Sequence, residues 1–307
     1  MKRGLPTILL YTGFGLAVMA VLVAAKFPWA ALAPRLASAV NGSGGVHLSY
    51  LEAKSSRFPP GLVLEGVALA SAQDPDKPLL TASRVRISPL WGSLLLGRAG
   101  ARLRAECYGG GVLADVRADG LTSAEHVRIE LEIENVDLGR HASLAEEAGM
   151  QGVLAGRISL AGLLTDPRAM EGGGQLGLSG GALRCKSAFL KREDIRLGAI
   201  QVRLAWRGGK LEFERLTLAE GDLQGELKGA FQPGPQGRAV GAGLLSVDGS
   251  LLVEPSLVDP DKVPDQDFAD KLRRRQALQL QWNGPVAPLV GMAGMLNSPP
   301  PGAKPRP

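Results

Sequence analysis

Residues 127–134 read Val-Arg-Ile-Glu-Leu-Glu-Ile-Glu, which is the clearest alternation of apolar and charged residues in the chain. Each odd position holds a branched aliphatic residue, and each even position holds a charged one. Because successive side chains of a β-strand point to opposite faces, the alternation predicts a strand with one apolar face and one face in water. Ile129, Leu131 and Ile133 then belong to the apolar face of a sheet.

The same period of two recurs along most of the chain. Apolar residues alternate in the segments Val46–Tyr50, Leu62–Leu64, Leu103–Cys107, Val112–Val116, Leu223–Phe231 and Leu278–Trp282. Gln201–Arg207 and Lys210–Glu214 flank Gly208-Gly209, whose glycines accept the positive φ of a two-residue hairpin turn. Strands joined by short turns predict a mainly β fold built on a long, curved antiparallel sheet.

Few segments have a helical period. The candidates are Pro28–Val40, with apolar residues every fourth position, and three shorter pieces at Leu90–Leu96, Ser143–Ala148 and Asp267–Arg275. Four short helices are too few to cover a dozen strands. We therefore expect the sheet to fold over as a sandwich, to close into a barrel, or to remain an open trough with an apolar lining.

The stretch Leu5–Ala25 carries no charged residue across 21 positions, which is enough for a helix to cross a bilayer. Lys2 and Arg3 precede it, so the N-terminus is expected to stay in the cytoplasm. A cleaved signal peptide is the alternative, but its apolar core is usually shorter, and the best cleavage site, Ala31-Leu32-Ala33, is followed by Pro34. The stretch is interpreted as a retained membrane anchor.

These features divide the chain into five parts. The expected parts are a cytoplasmic N-terminus at 1–4, a transmembrane anchor at 5–25, a short amphipathic helix and linker at 26–45, an exported β-rich domain at 46–297, and a disordered Pro-rich tail at 298–307. The net charge of +5 arises from 35 basic and 30 acidic residues that are scattered along the chain. A nucleic-acid partner is therefore not expected.

The motifs that carry chemistry are weak. The patterns G-x-G-x-x-G at 172–177 and G-x-S-x-G at 177–181 both lack the following helix that a phosphate site or a nucleophile elbow needs. Glu130, Glu132 and Glu134 share the charged face of one strand, and the histidines have no partner at metal-ligand spacing. We predict no catalytic residue, no metal site and no cofactor, and therefore no enzyme.

Cys107 and Cys185 are the only cysteines and lie 78 positions apart. An exported protein permits a disulfide between them, but a single pair does not establish one. Each cysteine has the same phase as apolar neighbours, so both thiols are expected on the apolar side of the sheet. Whether the two cysteines are joined stays open at this point.

The order of these pieces resembles the type II secretion system protein N family, which is similar in layout to the AsmA-like envelope proteins. The resemblance lies in the anchor and in the stretches Phe27–Leu32, Phe58–Val67, Ala82–Ile87, Trp91–Gly97, Asn135–Leu138 and Gly225–Gly229. It implies a single-pass protein of the bacterial inner membrane with a periplasmic β-rich domain. None of the stretches is a catalytic signature.

Two functions follow from the resemblance. The first is a non-enzymatic component of a type II protein secretion system whose partners are other secretion subunits. The second is an AsmA-like envelope protein that binds or moves lipid acyl chains in an apolar β-groove. The exported part is short for a conduit between two membranes, which favours the first function.

The charge asymmetry around the uncharged stretch gives a topological prediction. A reporter that is active only outside the cytoplasm should work when it is fused after Val40 and should fail when it is fused ahead of Leu5. Val18→Arg should hinder membrane insertion by about 3 kcal/mol, because it places a charge near the centre of the span. Reporter activity in the reverse pattern would contradict the expected orientation.

Overall fold

The computed structural model describes residues 26–42, 45–72, 74–120, 125–141, 144–145, 149–163, 166–185, 189–233, 243–263 and 266–285. The predicted anchor at 5–25, the predicted tail at 298–307 and most of the helix predicted at 143–148 lie outside these residues. Within the described parts, no helix combines the length and the apolar character needed to cross a membrane.

The described residues contain fourteen strands, which form one antiparallel sheet. They are β1 Val46–Ser49, β2 Glu52–Arg57, β3 Pro60–Ser71, β4 Asp74–Pro89, β5 Gly100–Cys107, β6 Gly110–Ala118, β7 His126–Asp137, β8 Gln151–Leu163, β9 Glu171–Arg184, β10 Asp194–Arg207, β11 Lys210–Ala219, β12 Leu223–Gln232, β13 Leu244–Val253 and β14 Leu278–Pro285. From β3 onward each strand pairs with the next one along the chain, and β1 and β2 both pair with β3. At a strand spacing of about 4.8 Å, the sheet is about 60 Å wide.

The sheet is open. Its ladder begins at β1 and β2 and ends at β14, with no pairing between these two edges among the described residues. The barrel and sandwich alternatives are therefore wrong for the described residues, and the open sheet is confirmed. The physical reason is that one continuous meander uses every described strand, which leaves no second sheet to pack on the first.

Three short α-helices accompany the sheet in the described residues: α1 Ala33–Gly42, α2 Trp91–Leu95 and α3 Gln266–Arg273. A 3-10 turn, Trp29–Leu32, leads directly into α1, so the helix predicted at Pro28–Val40 is confirmed. The predicted hairpin is confirmed as well, since Gly208 and Gly209 join β10 to β11 with φ angles of 57° and 75°.

Two clusters of buried residues lie at different places on the sheet. In the N-terminal cluster, Ala33 of α1 packs against the apolar residues of β3, β4 and β5, including Leu62 and Leu64. In the C-terminal cluster, Leu272 of α3 and Leu257 of the β13–β14 connection pack against strand ends such as Ile195. The connection between β13 and β14 therefore covers one end of the sheet.

Asp222 ties the C-terminal cluster to the sheet. Its side chain is only 1% exposed and accepts a hydrogen bond of 2.7 Å from the backbone N–H of Arg196, and the guanidinium groups of Arg192 and Arg196 pair with the carboxylate. The backbone carbonyl oxygen of Asp222 accepts a hydrogen bond from the N–H of Glu254, the first residue of the connection between β13 and β14. Burial alone would raise the pKa of Asp222, but the Arg196 hydrogen bonds and the two arginine charges outweigh burial and lower it.

Glycines pair with large aliphatic residues at two places in the sheet. Between β8 and β9 the opposing pairs are Leu160–Gly172, Ile158–Gly174 and Gly156–Leu176, and between β12 and β13 they are Gly225–Leu251, Leu227–Gly249 and Gly229–Val247. A Cβ atom on each of these glycines would meet a carbonyl oxygen of the neighbouring strand at less than van der Waals distance. The neighbouring backbones therefore approach closely on the side to which these glycines point. Glycine in a strand commonly marks such a close approach or a tight bend of the sheet.

Gly174→Ala should destabilise the protein, because its new Cβ would press on the carbonyl oxygen of Arg157 and on the backbone of Ile158. We expect a loss of about 1 to 3 kcal/mol in the free energy of unfolding. Gly177→Ala, three residues along the same strand, is the control, because its Cβ would lie 3.9 Å from the nearest atoms. Similar denaturation midpoints for the two variants would contradict the close approach.

Candidate ligand-binding face

One face of the sheet carries only apolar residues and glycine over the strands β4 to β14. Cross-strand pairing places the following residues in one row: Ile87, Leu103, Ala114, Leu131, Ile158, Gly174, Leu204, Phe213, Gly229, Val247 and Trp282. Directly paired residues of an antiparallel sheet point to the same side. The row therefore crosses eleven strands without a charged side chain.

Three further rows run parallel to the first one. The row on one side is Pro89, Ala101, Val116, Ile129, Leu160, Gly172, Trp206, Leu211, Phe231, Leu245 and Gly284. The rows on the other side are Val85, Ala105, Val112, Ile133, Gly156, Leu176, Val202, Leu216, Leu227, Gly249 and Leu280, and then Val136, Leu154, Leu178, Ile200, Leu218, Gly225, Leu251 and Leu278. We call these four rows together the apolar face.

Most residues in the middle of the apolar face are only half-buried, although Leu178, Leu204 and Leu218 are buried. Along β8 the residues of this face are intermediate in exposure at every second position, and Leu280 at the last strand is 40% exposed. Helix α1 covers the β3–β5 end, and the connection that carries α3 covers one end of the later strands. Leu131, Ile158 and Phe213 belong to neither cluster. No described residue covers this central area.

The opposite face is polar and is crossed by ion pairs. Arg102 of β5 donates two hydrogen bonds of 2.7 Å to the Asp115 carboxylate of β6, and Arg117 links Asp115 to Glu130 of β7. The hydrogen bonds and charge of Arg102 lower the pKa of Asp115, although burial opposes the shift. The polar face is thus stabilised between strands by charge pairs of modest strength.

The glutamates of β7 lie where the sequence pattern places them. Glu132 forms an ion pair with Arg157 of β8, and Glu130 pairs with Arg117 of β6, so both face the polar side of the sheet. Ile129, Leu131 and Ile133 lie on the apolar face. The assignment of the two sides of this strand is confirmed.

The two cysteines are not joined in the structure. Cys107 is buried in the N-terminal cluster, and Cys185 packs at the C-terminal cluster. Burial raises the pKa of both thiols, which makes the reactive thiolate less abundant.

The glycine motifs and His141 lie in surroundings that explain them as structural residues. Residues 172–181 all lie inside strand β9, so neither glycine pattern stands at a strand-to-helix turn. His141 packs its ring 5.1 Å from that of Tyr108, and its Nε2 atom lies 2.7 Å from the Leu79 carbonyl oxygen. No group of acidic, histidine and cysteine residues in the described ranges could hold a metal ion.

The chemistry of the apolar face is that of a surface for hydrocarbon, since it offers extensive apolar contact and no charge. Comparison with known proteins gave no matching family model, no matching curated protein and no matching solved structure.

The Asp115 pair gives a prediction about pH. Because the folded pKa of Asp115 is lowered, its stabilising contribution is complete above the unfolded pKa of about 3.9 and is lost as the pH falls through the folded pKa. Asp115→Asn should therefore lower the free energy of unfolding by about 1 to 2 kcal/mol at neutral pH. The difference from the natural chain should shrink in acid.

Asp194→Asn is the matched control, because Asp194 forms an exposed pair with Arg184. Its effect on thermal unfolding should be below about 1 kcal/mol at every pH. An equal and pH-independent loss in the two variants would contradict a role for the Asp115 charge.

Proposed function

We propose that this chain is a membrane-anchored envelope protein that holds lipid acyl chains on its apolar face. The observation that carries the proposal is the set of four uninterrupted apolar rows, whose centre no described residue covers. From a strand spacing of about 4.8 Å and a rise of about 3.4 Å per residue, the rows span about 1,000 Å². Part of this area is covered at the ends of the sheet, but contiguous exposed apolar patches larger than a few hundred Å² are rare on soluble monomers and mark sites for a ligand or a partner.

The energetics favour a hydrocarbon occupant. Each methylene that leaves water contributes about 0.8 kcal/mol. A chain of about 16 carbons that rests on the face, with half of its surface covered, would gain about 6 kcal/mol, before the losses of translational and rotational freedom that oppose binding. The absence of charge on the four rows means that no charged group must be desolvated when the chain binds.

The remaining parts of the proposal rest on the sequence. The uncharged stretch 5–25 supports a single-pass anchor in the bacterial inner membrane, with the N-terminus in the cytoplasm and the sheet in the periplasm. The order of the segments supports an AsmA-like envelope protein without enzymatic activity. The open sheet agrees with an apolar groove better than with a closed structure filled by its own side chains.

A second candidate function is a component of a type II secretion system. The observation in its favour is strand β14, Leu278–Pro285, which forms one edge of the described sheet and contains no charged residue. Exposed strand edges are usually protected by charge, by proline or by short length, because they pair readily with other strands. A strand from another secretion subunit could add to β14 through backbone hydrogen bonds.

One experiment tests the proposal on the full-length protein. The protein is extracted gently from its native membrane, and mass spectrometry scores bound lipid and bound protein together. We expect lipid in stoichiometric amount. Val202→Asp and Leu131→Asp should reduce the bound lipid at least about tenfold, because each variant places a carboxylate where a hydrocarbon chain would lie.

Gln201→Asp is the matched control, since Gln201 is exposed on the polar face one residue before Val202. Both variants on the apolar face keep access to water, so the fold should survive, and thermal melting checks this. Lipid that persists in Val202→Asp and Leu131→Asp would contradict the proposal. Lipid-free protein bound to secretion subunits would favour the second candidate.

A further inference from the structure

Three segments of the chain meet at one corner of the sheet, where β2 and β4 end and β3 begins. The turn between β2 and β3 carries Phe58, and α2 directly follows β4. Register brings the two together, since Leu62 pairs with Ile87, and the corner lies two residues before Leu62 in β3 and two residues after Ile87 in β4. The N–H of Ala30 donates to the hydroxyl of Ser55 at 3.1 Å, which places the segment from residue 26 at the same corner.

Large apolar side chains are exposed at this corner. Phe58 is 90% exposed and Leu96 is 76% exposed, and Phe27 and Trp91 are exposed to a lesser degree. These residues come from three separate segments, and two of the three aromatic residues stand next to a basic residue in the sequence. Exposed aromatic and leucine side chains beside basic ones are typical of protein surfaces that contact the headgroup region of a bilayer.

The charged residues of the three segments are all basic. Lys26, Arg57 and Arg98 are exposed and form no ion pair with a described residue. The segments 26–31, 55–61 and 89–101 contain no aspartate or glutamate. We call this set of apolar and basic side chains the corner patch. Its charge is complementary to anionic lipid headgroups, which attract each nearby lysine or arginine.

The position of the corner patch along the chain also points to a membrane. Lys26 is the first described residue and directly follows the uncharged stretch 5–25. A protein that leaves the bilayer at residue 25 brings the corner patch to the headgroup region within a few residues, because one extended residue spans only about 3.3 Å.

We propose that the corner patch docks on the anionic surface of the membrane in which the chain is anchored. Phe58, Trp91 and Leu96 enter the interface, and the three basic residues contact lipid phosphates. This contact orients the sheet with its N-terminal end on the membrane, so that the apolar face begins at the bilayer surface. Both points rest on the anchor that the proposed function includes, but the docking does not depend on lipid binding by the apolar face.

A photo-crosslinking experiment on the full-length protein tests the docking. The photoreactive residue p-benzoylphenylalanine replaces Phe58, Leu96 or Leu51 in vesicles of phosphatidylethanolamine and phosphatidylglycerol. Leu51 is the matched control, because it is 88% exposed but stands at the other end of β2, about 20 Å away. We expect lipid adducts at Phe58 and Leu96 and at least about fivefold fewer at Leu51.

Charge provides a second measurement. Arg57→Ser should reduce the lipid adducts at Phe58 by about fivefold, and high salt should have a similar effect, because both remove attraction to the anionic surface. Arg203→Ser, on the polar face of β10, is the control and should leave the adducts unchanged. Equal adducts at Phe58 and Leu51, or adducts of Phe58 with protein alone, would overturn the proposal.

The same vesicles separate this proposal from the proposed function. The photoreactive residue at Leu131 reports lipid on the apolar face, independently of the corner. Adducts at Leu131 without adducts at Phe58 would overturn the docking and leave the proposed function intact. Adducts at Phe58 without adducts at Leu131 would support the docking and contradict the proposed function.

Discussion

The structure depends on cross-strand register, because a shift of one residue in any strand would exchange its two faces. The apolar rows continue even where a strand contains an extra residue. In β7 the apolar face holds Ile133 and then Val136, and the intervening Glu134 and Asn135 form a bulge opposite β8. Asn135 adopts the positive φ of 51° at this bulge. In β11, Phe213 and Leu216 are separated in the same way. Each change of phase in the sequence thus coincides with a bulge in the ladder.

This coincidence shows how far the sequence could predict the fold. The alternation in β7 and the glycine pair between β10 and β11 were sufficient to assign strands, faces and a hairpin. The sequence could not decide between a sandwich and an open sheet, because both need the same alternation along each strand. The pairs of glycine with aliphatic residues were also hidden, since Gly174 and Ile158 are 16 positions apart in sequence and meet only through register. The candidate site shares this limit: single apolar residues were predictable, but rows across eleven strands were not.

An open apolar face changes where stability comes from. Half-buried residues such as Leu131 and Ile158 gain only part of the 1.5 to 3 kcal/mol that full burial of a large aliphatic side chain gives, so roughly half of that gain is absent along the centre of the sheet. The two buried clusters at the N-terminal end and around Leu257 therefore hold the strands at different places, and Asp222 secures the second cluster. On the polar face, exposed pairs such as Arg157 with Glu132 add only small increments. A ligand on the apolar face would supply burial that the chain does not supply itself.

The separation of charge between the two faces limits what the apolar face can recognise. Selectivity among ligands usually comes from a few polar groups placed inside an apolar site, and the four rows contain no charged residue. A hydrocarbon chain on this face would therefore be bound for its apolar surface and not for its headgroup. Each step along a row repeats a similar environment at the strand spacing of about 4.8 Å, so neighbouring positions differ little in free energy. Under the proposed function, such a surface would hold acyl chains without fixing them at one place. If the ligand is a lipid, as proposed, any selection by its headgroup would have to occur where charge is present, at the ends and rims of the sheet.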